Sequence, residues 1–83
     1  MDVRLTDSSR QAMMDLDEPM LTRVTRILER LGDWPVVSGA KPLTGPLAGH
    51  FRIRTGDYRV QFHVTGQAVI VEKIGHRDGF YGD

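Results

Sequence analysis

Two alternating runs joined by a two-residue turn restrict this chain more than anything else in it. Phe51, Ile53 and Thr55 alternate with Arg52 and Arg54, while Tyr58, Val60, Phe62 and Val64 alternate with Arg59, Gln61 and His63. A period of two marks strands with one apolar face, and Gly56-Asp57 between the runs suits a tight hairpin turn. One register satisfies both runs. It sets Ile53 across from Val60 and Phe51 across from Phe62 on the core face. On the other face it sets Arg54 across from Arg59, Arg52 across from Gln61, and His50 across from His63. A slip of one residue would turn every apolar side chain outward, so the pairing is strongly specified.

The remaining segments supply what this hairpin packs against. Val3-Arg4-Leu5-Thr6 alternates and reads as a short strand. Asp7 or Ser8 can cap a helix running to about Leu16, with Ala12, Met13 and Leu16 on its buried stripe. Asp17-Glu18-Pro19 restarts a second helix, since proline is tolerated in a first turn and acids favour that end. Leu21, Val24, Leu28 and Leu31 follow at helical spacing, Gly32 stands at the C-terminal cap, and Arg23, Arg26 and Arg30 share the solvated side. Residues 33–49 hold three prolines and three glycines without periodicity, a loop of 17 residues that is long for so small a domain. Trp34 within it reads as a lid over the core edge, with base stacking as the other use. After a turn at Gly66, Ala68–Ile74 is nearly continuous in apolar residues, as for a central strand covered on both faces. The predicted architecture is α+β: an N-terminal strand, two helices, then a three-stranded antiparallel meander, forming one domain over residues 1–83.

Composition narrows the function classes. A chain of 83 residues buries only about 60–65% of its unfolded surface, so marginal stability and a partner chain are expected. Cysteine is absent, which removes disulfides, thiolate metal sites and cysteine nucleophiles, and fits a reducing cytoplasm. No apolar run is long enough for a membrane span and Met1-Asp2-Val3-Arg4 does not open a secretory signal, so no membrane partner is expected. The net charge of zero conceals an uneven distribution. Residues 1–33 carry five basic against seven acidic side chains, whereas residues 34–77 carry six basic ones against Asp57 and Glu72. Nine of the eleven cations are arginine, the side chain suited to bidentate phosphate or carboxylate recognition.

Folding gains nothing from Arg54 directly opposed to Arg59 with Arg52 beside them, since like charges facing across strands repel. A phosphate or carboxylate from another molecule gives a reason to gather them; a solvated strand face is the plain alternative. Just beyond the third meander strand, Gly75-His76-Arg77-Asp78-Gly79-Phe80-Tyr81 offers an imidazole, a guanidinium and a phenol. His76 can move a proton near neutral pH, or it can be a turn residue satisfied by backbone. Tyr81 can act as a base only if cations such as Arg59 and Arg77 stabilise its phenolate; otherwise it closes the core edge. Neither Arg59 nor Arg77 is expected in the core. Such groups suit cleavage of RNA by its own 2′-hydroxyl, which needs a base, an acid and phosphate clamps. His50 and His63 read as surface residues, two imidazoles alone being a poor metal site. No metal and no cofactor are expected.

Lys41-Pro42-Leu43-x-Gly45, Phe51-Arg52-Ile53-Arg54-x-Gly56-Asp57-Tyr58-Arg59-Val60, and Ile74-Gly75-His76-Arg77 followed by Tyr81 together resemble the RelE/ParE superfamily of toxin–antitoxin toxins. The resemblance implies a microbial-ribonuclease-like fold and, in the RelE branch, a ribosome-dependent endoribonuclease (mRNA interferase) that cuts mRNA in the ribosomal A site. It implies phosphate-binding roles for Arg52 and Arg54 with Lys41 nearby, and catalytic roles for Arg59, Arg77 and Tyr81. The RelE pattern has lysines where this chain has Arg52 and Arg54. Arginine is a poor proton donor, which moves the general-acid role toward His76. The implied partners are a cognate antitoxin, the ribosome and mRNA, with operator DNA reached only through the antitoxin. Two other readings belong to the same resemblance: a ParE-like inhibitor of DNA gyrase, and a non-toxic member acting as co-repressor with its antitoxin.

Overall fold

The hairpin forms in the register that the alternation demands. In the computed structural model, which describes residues 1–80, strand β3 (His50–Thr55) pairs antiparallel with β4 (Tyr58–Thr65). The pairing sets Ile53 opposite Val60, Phe51 opposite Phe62, Arg52 opposite Gln61, Arg54 opposite Arg59 and His50 opposite His63. Gly56 has φ +58°, a left-handed backbone that glycine adopts at little cost, which is why the turn can be this tight. The meander continues antiparallel into β5 (Ala68–His76).

The sheet extends further than the meander predicted from the sequence. Strand β1 (Asp2–Leu5) pairs in parallel with β5, and β2 (Lys41–Pro42) pairs antiparallel with β3, giving a mixed five-stranded sheet in the order β1-β5-β4-β3-β2. The segment read as an unstructured loop therefore contains an edge strand. A strand of two residues with proline at its second position has no detectable period, and proline is tolerated at an edge because one side needs no donor. The expected loop also holds a short 3₁₀ turn, Gly45–Leu47. Strand β5 is interior, but only partly covered on the face away from the helices, where Ile70, Glu72 and Lys73 are half-buried.

Helix α1 (Asp7–Met14) is capped by Thr6, one residue earlier than expected, because the Thr6 hydroxyl accepts from the Ser9 backbone N–H at 3.2 Å. It also ends at Met14 rather than Leu16. Ser9 is fully buried and donates to the Val71 carbonyl at 2.8 Å, tying α1 to β5. Helix α2 (Met20–Leu31) buries Val24, Ile27 and Leu31, with Pro19 at its N-cap position and Gly32 at its C-cap; Ile27 completes a stripe that the sequence reading assigned to Leu21 and Leu28, which are half-buried. These residues meet Ile53, Val60, Phe62, Val69, Val71 and Ile74 in one cluster. Trp34 closes its edge, with edge-on contacts to Phe51 (4.7 Å between ring centroids) and Phe62 (5.3 Å). A short helix, α3 (Arg77–Phe80), follows β5.

Phe62 is 0% exposed and touches both other rings, so Phe62→Ala removes contacts that a small core cannot replace. It should cost about 3–5 kcal/mol in urea unfolding, against less than about 0.5 kcal/mol for Met14→Ala, whose side chain is exposed.

Candidate functional site

Register and pleat order the polar chemistry into rows across the sheet face opposite the helices. One row runs Lys41, Arg52, Gln61, Lys73 from β2 to β5, and the next runs Arg54, Arg59, Gly75. At the β2 side of these rows lies an open groove of about 390 Å³ lined by Gly39, Lys41, Leu43, Arg52, Arg54 and Arg59. Four of the site residues named from the sequence thus line one concavity, and no carboxylate lines it among the described residues. Strand β2 is what brings Lys41 there, by pairing it with Arg52.

The four cations are held differently. Lys41 and Arg54 are exposed. Arg52 donates from Nη2 to Gln61 Oε1 at 2.7 Å, and its guanidinium lies 5.0 Å from the centroid of the Phe80 ring. Arg59 was expected outside the core, yet it is only 8% exposed. Its place in the middle of the sheet encloses the stem, and its Nη1 donates to the carbonyls of Tyr58 (3.3 Å) and Gly56 (3.5 Å). Both contacts are long for a charged donor, so an anionic oxygen in the groove would be a stronger acceptor than either.

His76 and Arg77 stand apart from the groove. His76 pairs with Tyr58, so it stands on the side of the apolar residues rather than with Arg59, and its ring meets Tyr58 edge-on at 5.4 Å. Its Nδ1 accepts from the Asp78 backbone N–H at 3.1 Å, and Nε2 is 4.0 Å from the Asp57 carboxylate. Arg77 is exposed and reaches Asp57 (3.8 Å) and Asp78 (3.6 Å). Neither lines the groove. Tyr81 lies outside the described residues. Phe80 is buried on the arginine side: a Cβ on Gly75 would stand 3.5 Å from its ring, and the Lys73 ammonium is 4.5 Å from the ring centroid while donating to the Phe80 carbonyl.

A second cluster went unrecognised in the sequence. Glu72 has no partner in the β4–β5 ladder: Gln61 pairs with Lys73 and Phe62 with Val71. This bulge turns the carboxylate onto the polar face, where the Nδ1 atoms of His50 (2.8 Å) and His63 (2.7 Å) both contact Oε1. Gln61 donates to Oε2 at 3.0 Å, which completes a chain from Arg52 through Gln61 to Glu72. The His50–His63 pairing was legible from the alternation, but the bulge that adds Glu72 leaves no mark on it.

The described part of the fold has many solved counterparts. The chain superposes on a RelBE toxin–antitoxin complex from Mycobacterium tuberculosis with a TM-score of 0.77 and 29% identity, covering 92% of this chain and 90% of that one. It matches a YoeB/ParE toxin from Agrobacterium tumefaciens with a TM-score of 0.80 at 24% identity, covering 92% and 98% of the two chains. By fold, the chain belongs to the RelE/ParE toxin superfamily. A RelB–RelE antitoxin–toxin complex from Methanococcus jannaschii is similar too, with a TM-score of 0.79 at 20% identity over 94% of each chain. The structures that this RelE-like chain resembles are type II toxin–antitoxin toxins, several of them bound to RelB-type antitoxins. No protein-family model and no curated protein matches its sequence. Among the described residues, no helix is long and apolar enough to cross a membrane.

Burial pushes the Glu72 carboxyl up, but hydrogen bonds from His63, Gln61 and His50 outweigh it and hold the group below its ordinary value. A folded pKa below the unfolded one adds stability above the ordinary glutamate range and loses it as pH falls through the folded value. The stability difference between wild type and Glu72→Gln, measured by urea unfolding in metal-free buffer, should be full above about pH 5 and shrink below about pH 4.

Proposed function

We propose that this chain is the toxin of a type II toxin–antitoxin module and acts as an mRNA interferase, cleaving mRNA on the ribosome in the cytoplasm. The observation that carries this reading is the convergence of Lys41, Arg52, Arg54 and Arg59 on one groove without a carboxylate among its described lining residues. A groove of one charge sign selects a polyanion, and its guanidiniums suit phosphate oxygens. Lys41, Arg52 and Arg54 hold the backbone on either side of the scissile phosphate. Arg59, enclosed by the sheet, has little freedom to reorganise and so supplies a fixed charge for the oxygens that become more negative as the phosphorane forms.

The reaction is an attack by the ribose 2′-oxygen on the adjacent phosphorus, with the P–O5′ bond breaking. A base takes the 2′-hydroxyl proton and an acid returns one to the departing 5′-oxygen, leaving a 2′,3′-cyclic phosphate and a 5′-hydroxyl. Tyr81 is the proposed base or acid, Arg77 joins Arg59 on the phosphate, and His76 assists. The imidazole reaches the reacting atoms only by leaving Asp78 and turning past the end of β5, which assigns it the lesser share.

Inducing the chain in cells and mapping mRNA 5′ ends tests this directly. Cuts phased to codons within translated frames are expected; intact mRNA with gyrase-linked DNA breaks would instead make the chain a ParE-like inhibitor. Arg54→Ala and Arg77→Ala remove exposed side chains and should retain the fold by circular dichroism while losing cleavage. Losses of about 10²-fold are expected for a phosphate-stabilising charge, and about 10²–10⁴-fold for Tyr81→Phe if the phenol moves a proton.

The partner proposed is an antitoxin whose acidic or amphipathic segment lies across the helices or adds to the β2 edge and brings carboxylates to the arginine groove. At 100–1,000 times its dissociation constant it should raise apparent stability by about 3–4 kcal/mol in thermal melting. Arg54→Glu should weaken that complex.

A further inference from the structure

Beyond the groove, the polar face carries a second assembly whose atoms are arranged for a different ligand. We propose that His50, His63 and Glu72 form a binding site for a borderline divalent cation, zinc above all. The ligand atoms come from three adjacent strands and lie within 4.8 Å of one another. His50 and His63 are direct cross-strand partners on one face, and the bulge in β5 delivers Glu72 between them. All three residues are half-buried, so the site is neither sealed from solvent nor splayed on the surface.

The donor set is two imidazole nitrogens and one carboxylate oxygen, which suits zinc better than magnesium or calcium, whose preference is for oxygen. Tetrahedral zinc with bonds near 2.0 Å separates its ligand atoms by about 3.3 Å. The Nδ1–Oε1 distances of 2.7 and 2.8 Å therefore need to open by only about half an ångström, within side-chain rotation. Three protein ligands leave a fourth position for water or an anionic oxygen, as in an open zinc site.

The proton balance is simple. Without the ion, a ring whose Nδ1 faces the Glu72 carboxylate at hydrogen-bond distance does so as a donor. On binding, each ring moves its Nδ1 proton to Nε2 and offers the Nδ1 lone pair to the metal, so two neutral rings and one carboxylate bind with no net proton released. Gln61, buried at 6% exposure, orients the carboxylate through Oε2 and leaves Oε1 to face the imidazoles. The same Gln61 accepts from Arg52, so the cation site and the phosphate groove share one hydrogen-bonded link. The site is a property of the apo face and does not depend on whether the groove cleaves RNA.

The test is titration of zinc chloride into chelator-stripped full-length protein, followed by calorimetry and repeated with cobalt(II) for the visible absorption of a tetrahedral site. One ion per chain is expected. Gln61→Ala should weaken binding about 10–100-fold through the misdirected carboxylate, and His50→Ala, His63→Ala and Glu72→Ala should each weaken it further. His76→Gln, which removes the histidine outside the cluster, should leave binding unchanged. Should a ligand variant fail to fold, imidazole NMR signals of the wild type decide the matter: zinc should shift those of His50 and His63 and give them Nε2-protonated signatures, leaving His76 in place. No binding at millimolar zinc, binding that survives His50→Ala and His63→Ala together, or shifts confined to His76 would overturn the site.

Discussion

The antiparallel pairing of His50–Thr55 with Tyr58–Thr65 decides on which side of the sheet Arg52, Arg54, Arg59, His50 and His63 stand. Because strand side chains alternate, seating Ile53, Val60 and Phe62 in the core forces Arg52, Arg54, Arg59, Gln61 and the two histidines to the other face. The apolar burial that stabilises the fold is therefore what holds like charges together against their repulsion. Arg54 facing Arg59 costs a few tenths of a kcal/mol, little beside the burial of a single core aromatic at about 2–3 kcal/mol. The sheet can carry a cationic groove because its other face pins the register.

Two departures from regular sheet geometry then set the detail. The edge strand Lys41–Pro42 raises one wall of the groove and adds a fourth cation. The bulge at Glu72 breaks the polar face into unlike halves: a cationic one around Arg54 and Arg59, and one with two imidazoles around a carboxylate. Gln61 stands at their boundary, touching Arg52 on one side and Glu72 on the other. A buried amide with both ends engaged is well suited to keep opposite charges in fixed register.

Phe80 adds a further constraint at the end of the chain. Its ring lies beside Gly75, Arg52 and Lys73, so the short helix after β5 folds back onto the arginine side and not onto the helical layer. A Cβ at position 75 would meet the ring in ordinary van der Waals contact, and the ring presents its face to two cations. The arginine face and the short helix that ends at Phe80 thereby belong to one packed unit.

Period-two alternation determined the hairpin, its register and the facing of its arginines, because those follow from nearest-neighbour geometry that a sequence displays directly. Helical spacing likewise marked Val24 and Leu31. Other features were decided only in three dimensions. Strand β2 exists because β3 offers an edge for Lys41 and Pro42 to pair with, not because two residues carry a strand pattern. Parallel pairing of β1 with β5 joins residues more than sixty positions apart, which no local period encodes. Arg59 became buried through its position in the middle of the sheet, and His76 stood apart from it because adjacent pairs in a ladder, Arg59 with Gly75 and Tyr58 with His76, point to opposite faces. The meeting of Glu72 with His50 and His63 depends on a single extra residue in β5, a defect in periodicity that only the assembled ladder reveals.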